Sequence, residues 1–141
     1  MGKGLSKDYI LKEFGVYING HTVFDADGVQ GYTYGIYVDY DYNKGLLVDN
    51  DVVHIMWTKN NIVVPTSKCP TIYVSNKSEI SLVGNGYNNI RIYLFDESKI
   101  FIDDIDEESN VTIYKYSDSC VVEKGKFCFG KVNEFRKELR L

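Results

Sequence analysis

The sequence predicts an all-β chain whose second half is a short β-solenoid with two strands in each turn of the coil. Three observations predict it. Strand-favouring residues dominate the composition, apolar residues recur every ten positions, and a period of twenty lies over the period of ten.

Twelve Tyr and seven Phe accompany many Val and Ile, residues that suit a pleated, half-buried surface. The 141 residues are enough for one domain and can bury a core without metal or disulfides. With 44% hydrophobic and 26% charged residues the chain is not compositionally disordered. Two Pro and twelve Gly exclude collagen-like and Pro-rich linker sequences.

The ten-residue period runs through Val52, Ile62, Ile72, Leu82, Ile92, Ile102 and Ile113, with eleven residues at the last step. Two positions earlier, Ile80, Ile90, Ile100, Val111 and Val121 keep the same spacing. Each unit therefore holds an apolar-x-apolar strand core, and both sets are expected to point inward. Turn formers separate the cores, as in Ser75-Asn76-Lys77-Ser78, Asp96-Glu97-Ser98 and Ser117-Asp118-Ser119.

The longer period shows in Ile72-Tyr73, Ile92-Tyr93 and Ile113-Tyr114, spaced by 20 and 21. Ser78, Ser98 and Ser119 precede alternate strands at the same spacing. A coil of two strands per turn requires this, because each full turn stacks on the last and like residues stack on like. An antiparallel meander explains the step of ten but gives no reason for a step of twenty. Roughly three coils are expected between residues 60 and 130, joined by parallel ladders about 4.8 Å apart.

The remaining chain is assigned around this repeat. Residues 1–57 are read as a β-rich cap or docking region, 58–130 as the solenoid and 131–141 as a C-terminal cap or tail. Within the first region, 5–14 suits a short helix with Ser6 as its cap, followed by strands and turns such as Asn19-Gly20. In the C-terminal segment Val132, Phe135 and Leu139 stand at helical spacing, which suggests a short helix over the last coil.

The search for chemistry finds little. His21 and His54 have no partner at ligand spacing, and His54 sits among strand residues. Cys69, Cys120 and Cys128 match no zinc pattern and are expected to be free thiols in the core. Asp39-Tyr40-Asp41-Tyr42-Asn43-Lys44-Gly45 resembles half of a calcium loop. Its Gly comes one position late, however, and position twelve is Asn50 rather than Glu. The acidic run Asp103 to Glu108 is read as a solvated bulge at the eleven-residue unit. No catalytic, cofactor or metal site is therefore expected.

The net charge of −4 and the scattered basic residues argue against nucleic acid. No apolar run approaches a membrane span, so no membrane partner is expected, and the N-terminus gives no sign of a signal peptide. What stacks is tyrosine. Tyr73, Tyr93 and Tyr114, with Tyr116 and the N-terminal Tyr37, Tyr40 and Tyr42, form the candidate assembly or ligand surface.

Asn110 to Ser119 (NVTIYKYSDS) and Asn89 to Ser98 (NIRIYLFDES) resemble the V-x-V-Y-x-Y-D-N-S solenoid repeats of proteins from gut Bacteroidetes and their tailed phages. The resemblance covers about residues 70–120 and carries over no functional residue. It implies a phage particle, made in the bacterial cytoplasm, as the setting. The expected function is then that of a non-enzymatic virion protein, a fibre, head decoration or connector subunit, bound to other virion proteins or to itself as an oligomer. A carbohydrate-binding or host-attachment module is the first alternative, with a glycan as partner. A small polysaccharide-active enzyme on a solenoid is the second.

Overall fold

The computed structural model describes residues 23–24, 33–38, 45–48 and 51–138, the first two stretches by their backbone alone. These residues hold twelve strands and no helix: β1 (Val23–Phe24), β2 (Thr33–Val38), β3 (Leu46–Leu47), β4 (Val52–Met56), β5 (Lys59–Val64), β6 (Thr71–Ser75), β7 (Glu79–Gly84), β8 (Asn89–Leu94), β9 (Lys99–Ile105), β10 (Asn110–Lys115), β11 (Val121–Cys128) and β12 (Lys131–Arg136). The readings for residues 5–14 and 15–22 and the calcium-like loop up to Lys44 fall outside the described residues.

From β2 onward the strands alternate between two sheets. The longer has the order β1-β2-β4-β6-β8-β10-β12 and the shorter β11-β9-β7-β5-β3. Among the described residues every pairing is parallel except β1 with β2. A chain that crosses to the facing sheet and returns beside its earlier strand makes a coil, so the fold is a β-solenoid. Strands β4 to β11 form four coils over residues 52–128, of which β6 to β11 supply the three expected within 60–130. Parallel pairing is not confined to 58–130, for β2, β3 and β4 before it and β12 after it belong to the same ladders.

The coil repeat is not constant. In the longer sheet Val53 pairs with Ile72, Ile72 with Ile92, Ile92 with Ile113 and Ile113 with Glu134, steps of 19, 20, 21 and 21. The first step corrects the expected column. Val53 and Ile55 are the buried pair, and Val52 aligns with Thr71 on the other face. At the far end Val121 aligns with Lys99 and is exposed, while Val122 takes the register of Ile100. The corners explain both slips. One residue separates Met56 from Thr58, two separate Ser75 from Ser78 and Phe95 from Ser98, and three separate Tyr116 from Cys120.

Inward residues of both sheets make one continuous column. Ile62, Leu82 and Ile102 face Ile72, Ile92 and Ile113, and all are buried. Burial of each such side chain contributes about 1.5–3 kcal/mol. At one corner Thr58, Ser78, Ser98 and Cys120 form a buried polar column. There the Thr58 amide donates to Ser78 Oγ at 3.1 Å, and Cys120 Sγ donates to the Asp96 carbonyl at 3.4 Å. Cys120, not Ser119, continues the serine series, because the longer corner moves the register by one. At the opposite corner Asn88 Nδ2 donates to the Pro65 and Lys68 carbonyls, and Ser109 Oγ donates to the Gly86 carbonyl. Corner backbone groups that leave the ladders are thus satisfied by side chains.

The C-terminal segment is a strand rather than the expected helix. Strand β12 pairs with β10 from Asn110↔Lys131 to Lys115↔Arg136. Strand geometry sends Val132 toward the core and Phe135 to the outer face. The open edge of β10 offers a full ladder of hydrogen bonds, which outweighs a helical pattern only two turns long.

Candidate functional site

In an in-register parallel sheet, equivalent side chains of successive coils lie one strand spacing apart, about 4.8 Å. That spacing suits stacked aromatic rings. On the outer face of the longer sheet the register runs His54, Tyr73, Tyr93, Tyr114, Phe135. The rings stack at centroid distances of 4.6, 4.8, 4.8 and 5.5 Å, with interplanar angles of 21–24°. Beside this rank Phe95 stacks on Tyr116 at 4.8 Å, and Tyr116 lies 6.3 Å from Tyr93.

The structure therefore brings Tyr73, Tyr93, Tyr114 and Tyr116 together. It does not add Tyr37 to their rank. Tyr37 pairs with Ile55, and the position in register with His54 is Ile36. Tyr40 and Tyr42 lie outside the described residues. The sequence reading missed His54, Phe95 and Phe135. Stepping 19 residues back from Tyr73 and 21 forward from Tyr114 finds two of them, but those steps depend on corner lengths.

The stacking limits what the rank can bind. Tyr73, Tyr93 and Tyr114 each carry a ring neighbour on both faces. A sugar or base that stacks on an aromatic needs a free face. These three tyrosines offer ring edges and hydroxyls instead. Phe135 has its ring neighbour on one side and is 48% exposed. His54 is buried, and desolvation pushes its pKa from 6.5 down to about 4, so it is a neutral stacking ring at physiological pH.

The last coil, β11 with β12, gathers four exposed apolar side chains, Val121, Phe127, Phe129 and Phe135, with Phe129 at 65%, whereas Leu47, Trp57 and Tyr87 are exposed singly on earlier ones. Core-facing register positions turn charged here. Lys124 aligns with buried Ile102, Glu134 with buried Ile113, and Arg136 with Lys115. Arg136 Nε donates to Asp118 Oδ1 at 2.9 Å, which holds the Asp118 carboxyl below its ordinary range. Gly130 makes the tight corner between β11 and β12. A Cβ there would lie 2.5 Å from Ile105 Cγ2 and 2.7 and 2.8 Å from the Asp106 and Ser109 carbonyl oxygens.

The other candidates are placed as follows. The extra residue of the acidic run is Asp103, at a β-bulge between the pairs Leu82↔Ile102 and Val83↔Asp104. Asp104, Asp106, Glu107 and Glu108 are exposed, and Asp106 Oδ1 accepts from the Glu108 amide within its own turn. Among the described residues no group of three or more His, Cys, Asp or Glu is placed to hold a metal ion. All three cysteines are free. Cys120 is buried and Cys128 partly so, whereas Cys69 is exposed in the six-residue corner 65–70 and does not join the core. Among the described residues no helix is long and apolar enough to cross a membrane.

No family model matches the chain, and neither does any curated protein or solved structure.

Proposed function

We propose that this chain is a non-catalytic structural protein of a bacteriophage virion, a fibre, decoration or connector subunit that works through protein–protein assembly. The observation that carries the reading is the last coil. Four large apolar side chains are exposed on it, at the end of a rod whose two sheets finish in β11 and β12. Exposed apolar surface beside sheet edges is the chemistry of a docking end. The stacked aromatic rank and the continuous core suit a stiff spacer. The resemblance of residues 70–120 to repeats of phage and Bacteroidetes proteins supports the setting.

The experiment is a protein inventory of virus particles purified from cells that carry the gene. The reading predicts the chain at a fixed ratio to the other particle proteins. Its recovery only outside particles would contradict the proposal. A carbohydrate-binding role is the second reading, favoured by the exposed outer side of Phe135. A monomer that binds a defined oligosaccharide, and loses it in Phe135→Ala, would favour that reading instead.

A further inference from the structure

We infer that the last coil is a self-complementary end, through which two copies of this chain join C-terminal coil to C-terminal coil. The inference rests on the reading of this coil as an assembly surface and names its partner. Three observations carry it.

First, among the described residues the longer sheet ends at β12 and the shorter at β11, so both final strands present an outer edge to a newcomer. Such edges are templates for pairing with another chain. Second, the exposed apolar side chains Val121, Phe127, Phe129 and Phe135 belong to the same coil. Third, that coil carries charges at core-facing register positions on both sheets, Lys124 on β11 and Glu134 and Arg136 on β12, where Arg136 is paired with Asp118 and Glu134 with Lys115.

The third observation selects the partner. A head-to-tail copy stacked in register would set Lys124 against Leu46, which opens the apolar column of the same sheet, and would bury that charge without an opposite one. A two-fold axis lying between the sheets and along the strands acts differently. It lays β11 of one copy over β12 of the other, and the strands of one coil run in opposite directions, so the new pairing is antiparallel. Lys124 of each copy then meets Glu134 of its mate, and the same contact forms twice, as an isologous interface demands. The assembly closes at two copies.

Charge reversal tests this on the full chain. Native mass is measured against protein concentration by light scattering or sedimentation, with circular dichroism as the control for folding. Lys124 and Glu134 are exposed, and Glu134 pairs with Lys115 of its own chain at 3.9 Å, so a denaturant midpoint of each variant separates loss of that pair from loss of the dimer. The wild type is expected to be a dimer. Lys124→Glu and Glu134→Lys place like charges across the axis and are each expected to weaken the dimer about tenfold or more, the scale of close interfacial charge pairs. The combined reversal restores it, and Phe129→Ser weakens it independently of charge. A monomer at every concentration, a mass that grows beyond two copies, single reversals that leave the dimer unchanged, or a folded double reversal that stays monomeric would each overturn the inference. A monomer found in particles removes this inference alone, and a dimer missing from particles removes only the virion proposal.

Discussion

Tyr73 and Tyr93 lie twenty residues apart in sequence and stack with ring centroids 4.8 Å apart, the same distance that separates Tyr93 from Tyr114. The spacing is that of neighbouring parallel strands, so the ladder of rings and the ladder of backbone hydrogen bonds reinforce each other. Each stacked contact contributes about 0.5–1.5 kcal/mol beyond the area it buries.

Tyr93 is the middle ring and touches a ring on each side. Tyr93→Ala is expected to lower unfolding stability by about 2–4 kcal/mol, through two lost stacks and a lost half-buried ring. Tyr93→Phe keeps both stacks and is expected to stay within about 0.5 kcal/mol of the wild type. Denaturant midpoints of the two variants check this. Equal losses in both would mean that the hydroxyl, not the stack, matters.

His54 makes the fold sensitive to acid. Its folded pKa of about 4 lies below its ordinary 6.5, because burial disfavours the imidazolium. Above 6.5 both folded and unfolded chains hold it neutral, and its contribution is complete. Between 6.5 and about 4 the unfolded chain takes up a proton that the folded chain refuses, so stability falls with pH. Below about 4 this loss stops growing. The span amounts to on the order of 3 kcal/mol. His54→Phe keeps a ring in the rank and removes the proton. Its stability is expected to fall less than that of the wild type across this window, by urea unfolding at a series of pH values. Parallel pH curves would show that His54 is not the titrating group.

Gly130 holds the last strand in place. Gly130→Ala would drive a methyl group against Ile105 and against two carbonyl oxygens fixed in the neighbouring corner. Overpacking of this kind costs about 1–3 kcal/mol. Because the clash sits where β12 begins, the damage is expected to be local. Amide exchange should quicken in Lys131–Arg136 far more than in Asn89–Leu94. Unchanged exchange in β12 would show that the corner can rearrange.

What the sequence made legible was the part of the fold where the period is regular. Ile72, Ile92 and Ile113, with Leu82 and Ile102, stand where a coil of two strands puts them, and so do Tyr73, Tyr93 and Tyr114. The corners were not legible, because turn chemistry tolerates one, two or three residues and each change moves every later register. Trp57 shows the difficulty. It adopts φ 54, in the left-handed region that Asn76 and Asp96 occupy at the same corner of the next coils. Asn and Asp tolerate that conformation, and a bulky side chain gives no hint of it. Hence the spacing points to Val52 in place of Val53 and to Ser119 in place of Cys120, and it does not reveal His54 and Phe135 as the ends of the ring rank. The spacing of Val132 and Phe135 fits a helix and not one face of a strand, and the edge of β10 overrides it, sending the two to opposite faces.

The claim on which all of this depends is that strands pair with the strand two places away in sequence, in parallel and in register. Nuclear Overhauser contacts on the labelled protein test it most directly. The fold predicts contacts from Ile72 to Ile92 and from Ile92 to Ile113, with backbone contacts joining β6 to β8 and β8 to β10. Backbone ladder contacts between consecutive strands, β6 with β7 or β8 with β9 running antiparallel, would contradict it.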